Sequence, residues 1–158
     1  MVNPLNWLAH RLGRYPVLMK VRPVVLPLDR FLHRVSRGRV SLVGMAGMPS
    51  LRLVTTGRKT GLTRVNDLVY TPYGDDFVVI GSGWGQPKHP AWTANLLSEP
   101  KAAVIVRGRE IPVTARAVEE GAERDEIWAQ AVRVWPGYTM ERSIADREFR
   151  IFVLTERR

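Results

Sequence analysis

The chain contains no cysteine, which excludes both a disulfide framework and a thiolate metal site. Its three histidines, His10, His33 and His89, stand far apart without the paired spacing of a metal-binding motif, so no metal is expected. No apolar run reaches the roughly 18 residues of a membrane-spanning helix. Pro and Arg interrupt every apolar stretch near the N-terminus, so no signal peptide is expected and the cytoplasm is the expected compartment. Acidic residues are scarce in the first quarter, where eight Lys/Arg face Asp29 alone, a net charge of +7 for residues 1–40. Residues 41–158 hold sixteen basic and fourteen acidic side chains, leaving +2 of the total +9. The basicity is thus local, and no aromatic stacking platform interleaves it, so a nucleic-acid partner is not expected.

What is present fits one domain with a core of its own, 158 residues long. The charge divides it into a basic N-terminal segment, 1–40, and a nearly balanced body, 41–158. In the first segment Leu5, Trp7, Leu8 and Leu12 share one side of a helix over 3–14, with Pro4 in its first turn. Leu28, Phe31, Leu32 and Val35 follow i, i+3, i+4, i+7 over 27–38, with Arg30, Arg34 and Arg37 on the flank and Gly38 as a stop. Short basic helices carrying Trp, Leu and Phe have the composition of interfacial membrane anchors, and equally of helices packed over one end of a domain.

From Val40 the pattern changes to strands near 51–57, 63–70, 76–82, 102–107, 110–118 and 149–155. The turns at 57–61, 72–76 and 107–109 are short enough for antiparallel hairpins. Helices are expected near 90–98, ended by Pro100, over 119–134, and near 139–145. Strands dominate and no βαβ alternation occurs, which favours an α+β fold built on a closed or nearly closed antiparallel barrel.

Two stretches carry chemistry. In LRLVTTGRKTGLTRVND, residues 51–67, Leu51, Leu53 and Thr55 alternate with Arg52, Val54 and Thr56, and Gly57 and Gly61 bracket Arg58, Lys59 and Thr60. Glycine on both sides allows positive φ and a tight reversal. Arg64 stands just inside the return strand, so three cations and a threonine hydroxyl gather on a rigid hairpin able to grip a phosphate or carboxylate. The same composition also suits a hairpin tip kept soluble by charge. The spacing is not that of a Walker A loop. In IGSGWGQPKHPAWTANL, residues 80–96, an apolar strand runs into Gly81-Ser82-Gly83-Trp84-Gly85, and Lys88 and His89 lead into a helix at Pro90. Such a segment lets a ligand approach backbone N–H groups and a helix N-terminus, or is simply a long loop closed by a capped helix.

In order and spacing these pieces resemble the deazaflavin-dependent nitroreductase family of actinobacterial split β-barrel oxidoreductases, which bind coenzyme F420. The resemblance covers about Leu51 to Leu154. It rests on Thr55 to Gly61, Arg64-Val65-Asn66, Gly81-Ser82, Lys88-His89-Pro90-Ala91-Trp92, Asn95-Leu96, Pro100, Trp135-Pro136-Gly137-Tyr138 and Asp146-Arg147. It implies a split β-barrel with peripheral helices, extended here by the basic N-terminal segment. It also implies transfer of a hydride from the reduced coenzyme to a conjugated acceptor, a quinone-like or nitro compound. Arg58, Lys59, Thr60, Gly61 and Arg64 would face the coenzyme's phosphate and oligoglutamate tail, and Ile80, Gly81, Ser82, Gly83, Ala91, Trp92 and Asn95 would border its ring and phosphate. The cofactor carries such chemistry, so no dedicated nucleophile or acid–base pair is expected. Ser82 is the one candidate for a hydrogen bond to the acceptor.

The acceptor side departs from the family, whose nitro-reducing members carry a lysine after the serine and tyrosines after the long helix. Here those places hold Gly83 and the set Trp135, Tyr138 and Glu141. Trp84, Trp135 and Tyr138 could form an aromatic slot for a flat acceptor, or be ordinary core packing. Two other readings stay open: a flavin mononucleotide enzyme on the same barrel, and a non-catalytic carrier of coenzyme or lipid. A homodimer and contact of residues 1–40 with the inner face of the plasma membrane are further expectations.

Overall fold

A computed structural model describes residues 47–158 together with eight helical positions before them, Trp7, Arg11, Lys20, Pro23, Val24, Pro27, Leu28 and Phe31. Apart from these positions, the amphipathic helices expected over 3–14 and 27–38, and the boundary at residue 40, lie outside the described residues. No helix among the described residues is long and apolar enough to cross a membrane. No cluster of metal-ligating side chains occurs among them either.

Six strands form a closed barrel: β1 (Ser50–Thr56), β2 (Thr63–Tyr73), β3 (Asp76–Ile80), β4 (Lys101–Val106), β5 (Arg109–Ala117) and β6 (Ile151–Glu156). Around the barrel the order is β1-β2-β3-β6-β5-β4, every neighbouring pair is antiparallel, and β1 closes the ring on β4 with Leu53 opposite Val104. The three hairpins fall where glycine permits reversal: Gly61, Gly74 and the pair Arg107-Gly108 all have positive φ. Helices α1 (Ala91–Ser98), α2 (Ala122–Val134) and α3 (Gly137–Ala145) lie between strands in the chain, as the apolar spacing indicates.

Burial explains the patterning. On β1, Leu51, Leu53 and Thr55 point inward and are buried, while the alternating residues are not. The strands β3 and β6 read as unbroken apolar runs, FVVI and IFVL, because both of their faces are covered. Val79, Phe152 and Leu154 face the barrel interior with Leu53, Val104, Val113 and the α1 residues Trp92 and Leu96. Val78, Ile80, Ile151 and Val153 face outward, beneath Ile127 and Ala131 of α2 and Tyr138 of α3. Helix α1 therefore helps to fill the barrel, and its first turn opens beside the β1–β2 hairpin. Helices α2 and α3 clamp the outside of β3 and β6.

Candidate functional site

The hairpin tip is fixed by its own backbone. Gly57 N–H donates to Leu62 O at 2.7 Å and Gly61 N–H to Gly57 O at 2.7 Å. Only Gly61 has positive φ. Gly57 is required for a different reason than the expected reversal: a Cβ there would meet Thr60 Oγ1 at 2.9 Å and Leu62 O at 3.1 Å. The Thr60 hydroxyl accepts from Leu62 N–H at 3.3 Å and from Arg64 Nη2 at 3.5 Å, which turns the Arg64 guanidinium back along the tip. Buried Asn95 on α1 ties this tip to the barrel. Its Oδ1 accepts from Arg58 N–H at 3.1 Å and its Nδ2 donates to Thr55 Oγ1 at 3.2 Å.

Between this hairpin and the start of α1 lies a cavity of about 730 Å³. Arg58, Lys59, Arg64 and Arg150 line it together with His89, and none of its lining residues is acidic. An anion entering it meets four cations and, at Ala91 and Trp92, the first turn of a helix, whose end favours negative charge. Arg150 is held in place by Thr93, whose hydroxyl accepts from its Nη1 at 3.1 Å and donates to Pro90 O at 2.8 Å. Burial, and then Arg150 and Arg147, keep the His89 pKa below its ordinary value.

A second cavity of about 290 Å³ continues from the first, sharing Asn66, Pro90 and Trp92 with it. Its walls are the loop Ser82-Gly83-Trp84, the β2 residues Asp67, Leu68 and Val69, and the α3 side with Trp135, Tyr138 and Glu141. Three of the loop's N–H groups over residues 81–85 are engaged within the protein. Gly81 N–H donates to Arg150 O, Ser82 N–H to Ile80 O and Gly85 N–H to Ser82 O, at 2.8, 2.9 and 3.1 Å. Its glycines serve close packing. A Cβ on Gly81 would lie 2.7 Å from Thr93 Cγ2, and one on Gly85 3.1 Å from Glu141 O. Trp84 itself is left-handed, with φ 57° and ψ 35°, a conformation that costs a residue with a Cβ about 1–2 kcal/mol.

Of the aromatic set, Trp84 is half-buried, whereas Trp135 and Tyr138 are 7% and 4% exposed. These two belong to the same buried cluster as Ile127 and Phe149, and with Trp84 they line the second cavity. Trp135 Nε1 donates to Glu141 Oε1 at 2.8 Å. Burial, reinforced by the Glu141 carboxylate, pushes the Tyr138 phenol well up and keeps it protonated.

The sequence-predicted residues thus sort into two groups. Arg58, Lys59, Thr60, Arg64, Ala91, Trp92 and Asn95 border the first cavity, and Ile80, Ser82, Gly83, Trp84, Trp135 and Tyr138 the second. Gly61 and Gly81 line neither and act on the backbone alone. Arg150 and Asn66, to which the sequence pattern assigns no contact with the coenzyme, also line the first cavity. Arg150 reaches the site only because β6 pairs with β3 beside α1, an arrangement no local motif announces.

A continuous groove with one wholly cationic end and one aromatic-rimmed end fits a ligand that joins a polyanion to a flat ring. The sequence profile of the F420H(2)-dependent quinone reductases matches residues 30–156. This chain belongs to that family. An F420H(2)-dependent quinone reductase of Mycobacterium tuberculosis is 31% identical over 141 residues, covering 84% of this chain and 91% of its own length. The solved structure of an F420-H2 dependent reductase superposes with a TM-score of 0.62 at 31% identity, covering 68% of this chain and 94% of that one. A second solved structure, described only as a domain-swapped dimer, gives a TM-score of 0.64 at 28% identity, covering 82% of this chain and 99% of that one. The F420H(2)-dependent quinone reductase family uses the deazaflavin coenzyme, which decides against flavin mononucleotide, and its members are oxidoreductases rather than passive carriers. The residues present fit that coenzyme: a cation set without acids suits the phosphate and glutamates, and Asn66, Pro90 and Trp92, shared by the two cavities, offer a surface for a flat ring beside it.

Proposed function

We propose that the first cavity seats the phosphate and glutamate tail of coenzyme F420. Asn66, Pro90 and Trp92, common to both cavities, would hold its ring, and the second cavity would hold a quinone-like acceptor beside it. The observation that carries this reading is the acid-free lining around Arg58, Lys59, Arg64 and Arg150, contiguous with the cleft rimmed by Ser82, Gly83 and Trp84. When bound, the reduced coenzyme supplies a hydride, two electrons at once. The chain's own share is to orient. Clustered guanidinium and ammonium groups hold the anionic end, and fixing the tail fixes where the ring stands. Keeping acceptor and ring in contact removes much of the entropic barrier. The Ser82 hydroxyl can donate to an acceptor oxygen as charge grows there. Tyr138, kept protonated, and Trp135 give the cleft a firm wall.

The test is titration of wild type and of Arg58→Ala/Lys59→Ala with coenzyme carrying different numbers of glutamates. Losing two charge-assisted contacts weakens binding about tenfold or more and abolishes the dependence on tail length. An affinity that ignores both the tail and the substitutions would contradict the assignment.

The same reading puts the protein in the cytoplasm, with residues 1–40 resting on the inner face of the plasma membrane, where long-tailed quinones reside. Supporting it are the +7 charge of that segment and its exposed Trp7, Val24, Leu28 and Phe31. Flotation with anionic but not neutral vesicles is expected, and deleting 1–40 should abolish it while leaving turnover of a water-soluble quinone intact. A homodimer is part of the same proposal, supported by the related structure described as a domain-swapped dimer. A monomeric mass in solution would remove it.

A further inference from the structure

Gly83, Trp84 and Gly85 have φ values of 56°, 57° and 70°, three left-handed residues in succession. Two glycines adopt this freely, but the tryptophan between them does not. Within the loop Gly85 N–H donates to Ser82 O at 3.1 Å and Gln86 N–H to Gly83 O at 3.2 Å. A further grip comes from beyond α3. Asp146, itself left-handed at φ 50°, ends that helix and turns Arg147 under the loop. The Arg147 guanidinium donates to four of the loop's carbonyls. Nε reaches Gln86 O at 2.9 Å, Nη1 reaches Gly81 O at 3.1 Å, and Nη2 reaches Ser82 O at 2.9 Å and Lys88 O at 3.2 Å. Its back rests on the Phe149 ring, 4.8 Å from the centroid. Nη1 also meets His89 Nδ1 at 3.2 Å. Arg147 lines neither cavity.

We infer that Arg147 is a positioning residue for the acceptor. By gripping the carbonyls of residues 81–88 from beneath, it keeps Trp84 in its left-handed conformation at the rim of the second cavity and so sets acceptor affinity. This rests on the reading of that cavity as the acceptor's place. A planar fork with five donors can serve four carbonyls at once, whereas a lysine ammonium has three donors on a flexible stem. Exchange of Arg147 for Lys should therefore loosen the loop without removing the charge.

Hydrogen–deuterium exchange on wild type and Arg147→Lys, without coenzyme, reads the grip directly. Exchange over residues 82–88 should quicken at least tenfold while the barrel strands stay unchanged, and equal exchange would overturn the inference. In turnover with a soluble naphthoquinone, Arg147→Lys should raise the acceptor KM about tenfold, with kcat and coenzyme affinity within twofold. Trp84→Gly, which relieves the backbone conformation, should raise KM similarly, and adding Arg147→Lys to it should raise KM no further. Additive effects would overturn the inference. So would a parallel loss of coenzyme affinity, which would place the action of Arg147 at His89 and the first cavity. A wild type whose coenzyme affinity ignores the cationic hairpin would instead fail the reading of the site, and the exchange result would still judge the grip on the loop.

Discussion

Asn95 and His89 show how single side chains set this site. Asn95 satisfies one backbone donor of the hairpin and one buried hydroxyl of β1 with a single amide. Asn95→Ala leaves both without their partner, and a buried polar group so stripped costs about 1–3 kcal/mol. Denaturant unfolding should show that loss, together with weaker coenzyme binding because the Arg58 backbone is no longer anchored. His89 makes a prediction with a sign. Arg147 is always a donor, so His89 Nδ1 accepts and the ring is neutral. With the folded pKa held below the unfolded value of about 6.5, acidification protonates the unfolded chain first. Stability from this group is complete above about pH 6.5 and declines as the pH falls from there toward the lower folded pKa. The Tm of wild type should fall more between about pH 7 and 5.5 than that of His89→Asn. Protonation of His89 in the folded chain adds a cation to the first cavity, so affinity for the anionic tail should rise as the pH falls through the lowered folded pKa, at the acid end of the range in which stability declines.

At the level of elements, much was legible. Alternation on β1, unbroken apolar runs on β3 and β6, and glycine-marked turns placed six strands and three helices close to where they lie. The hairpin cations were legible because glycines bracket them. Arg150 and Arg147 were not, because their roles depend on β6 lying against β3 and on the chain turning at Asp146, facts of topology rather than spacing. Nor could spacing tell why each glycine is needed. Trp135 and Tyr138 read in sequence either as an acceptor slot or as core packing, because aromaticity is visible there and burial is not. The glycines supply a test. Gly81→Ala drives a Cβ to 2.7 Å from Thr93 Cγ2 and 3.3 Å from Arg150 O, between a buried helix and a strand that cannot part freely. Overpacking of this kind costs about 1–3 kcal/mol. Gly61→Ala meets nothing within 4 Å and bears only the left-handed backbone term, about 1 kcal/mol. Denaturation should rank Gly81→Ala as the more damaging, and the reverse order would show that the β3–α1 contact is looser than described.

Across the whole molecule, charge is divided. The cationic cavity lies at one end of the groove, and the other is bordered by Asp67, ion-paired with Arg52, and by buried Glu141, which accepts from Trp135. A ligand with an anionic tail therefore has one favourable orientation, tail toward the hairpin. Because the cations of the hairpin tip are exposed, ionic strength should screen them. Coenzyme affinity should fall about tenfold between ~0.05 and ~0.5 M salt, and the ring-bearing fragment without phosphate or glutamates should show little dependence. The measurement that bears most directly on this division is a crystal structure of the chain with F420. The phosphate and glutamates should lie among Arg58, Lys59, Arg64 and Arg150, with the ring edge reaching Ser82 and Trp84. A tail lodged in the second cavity, or a hairpin whose cations face only solvent, would contradict it.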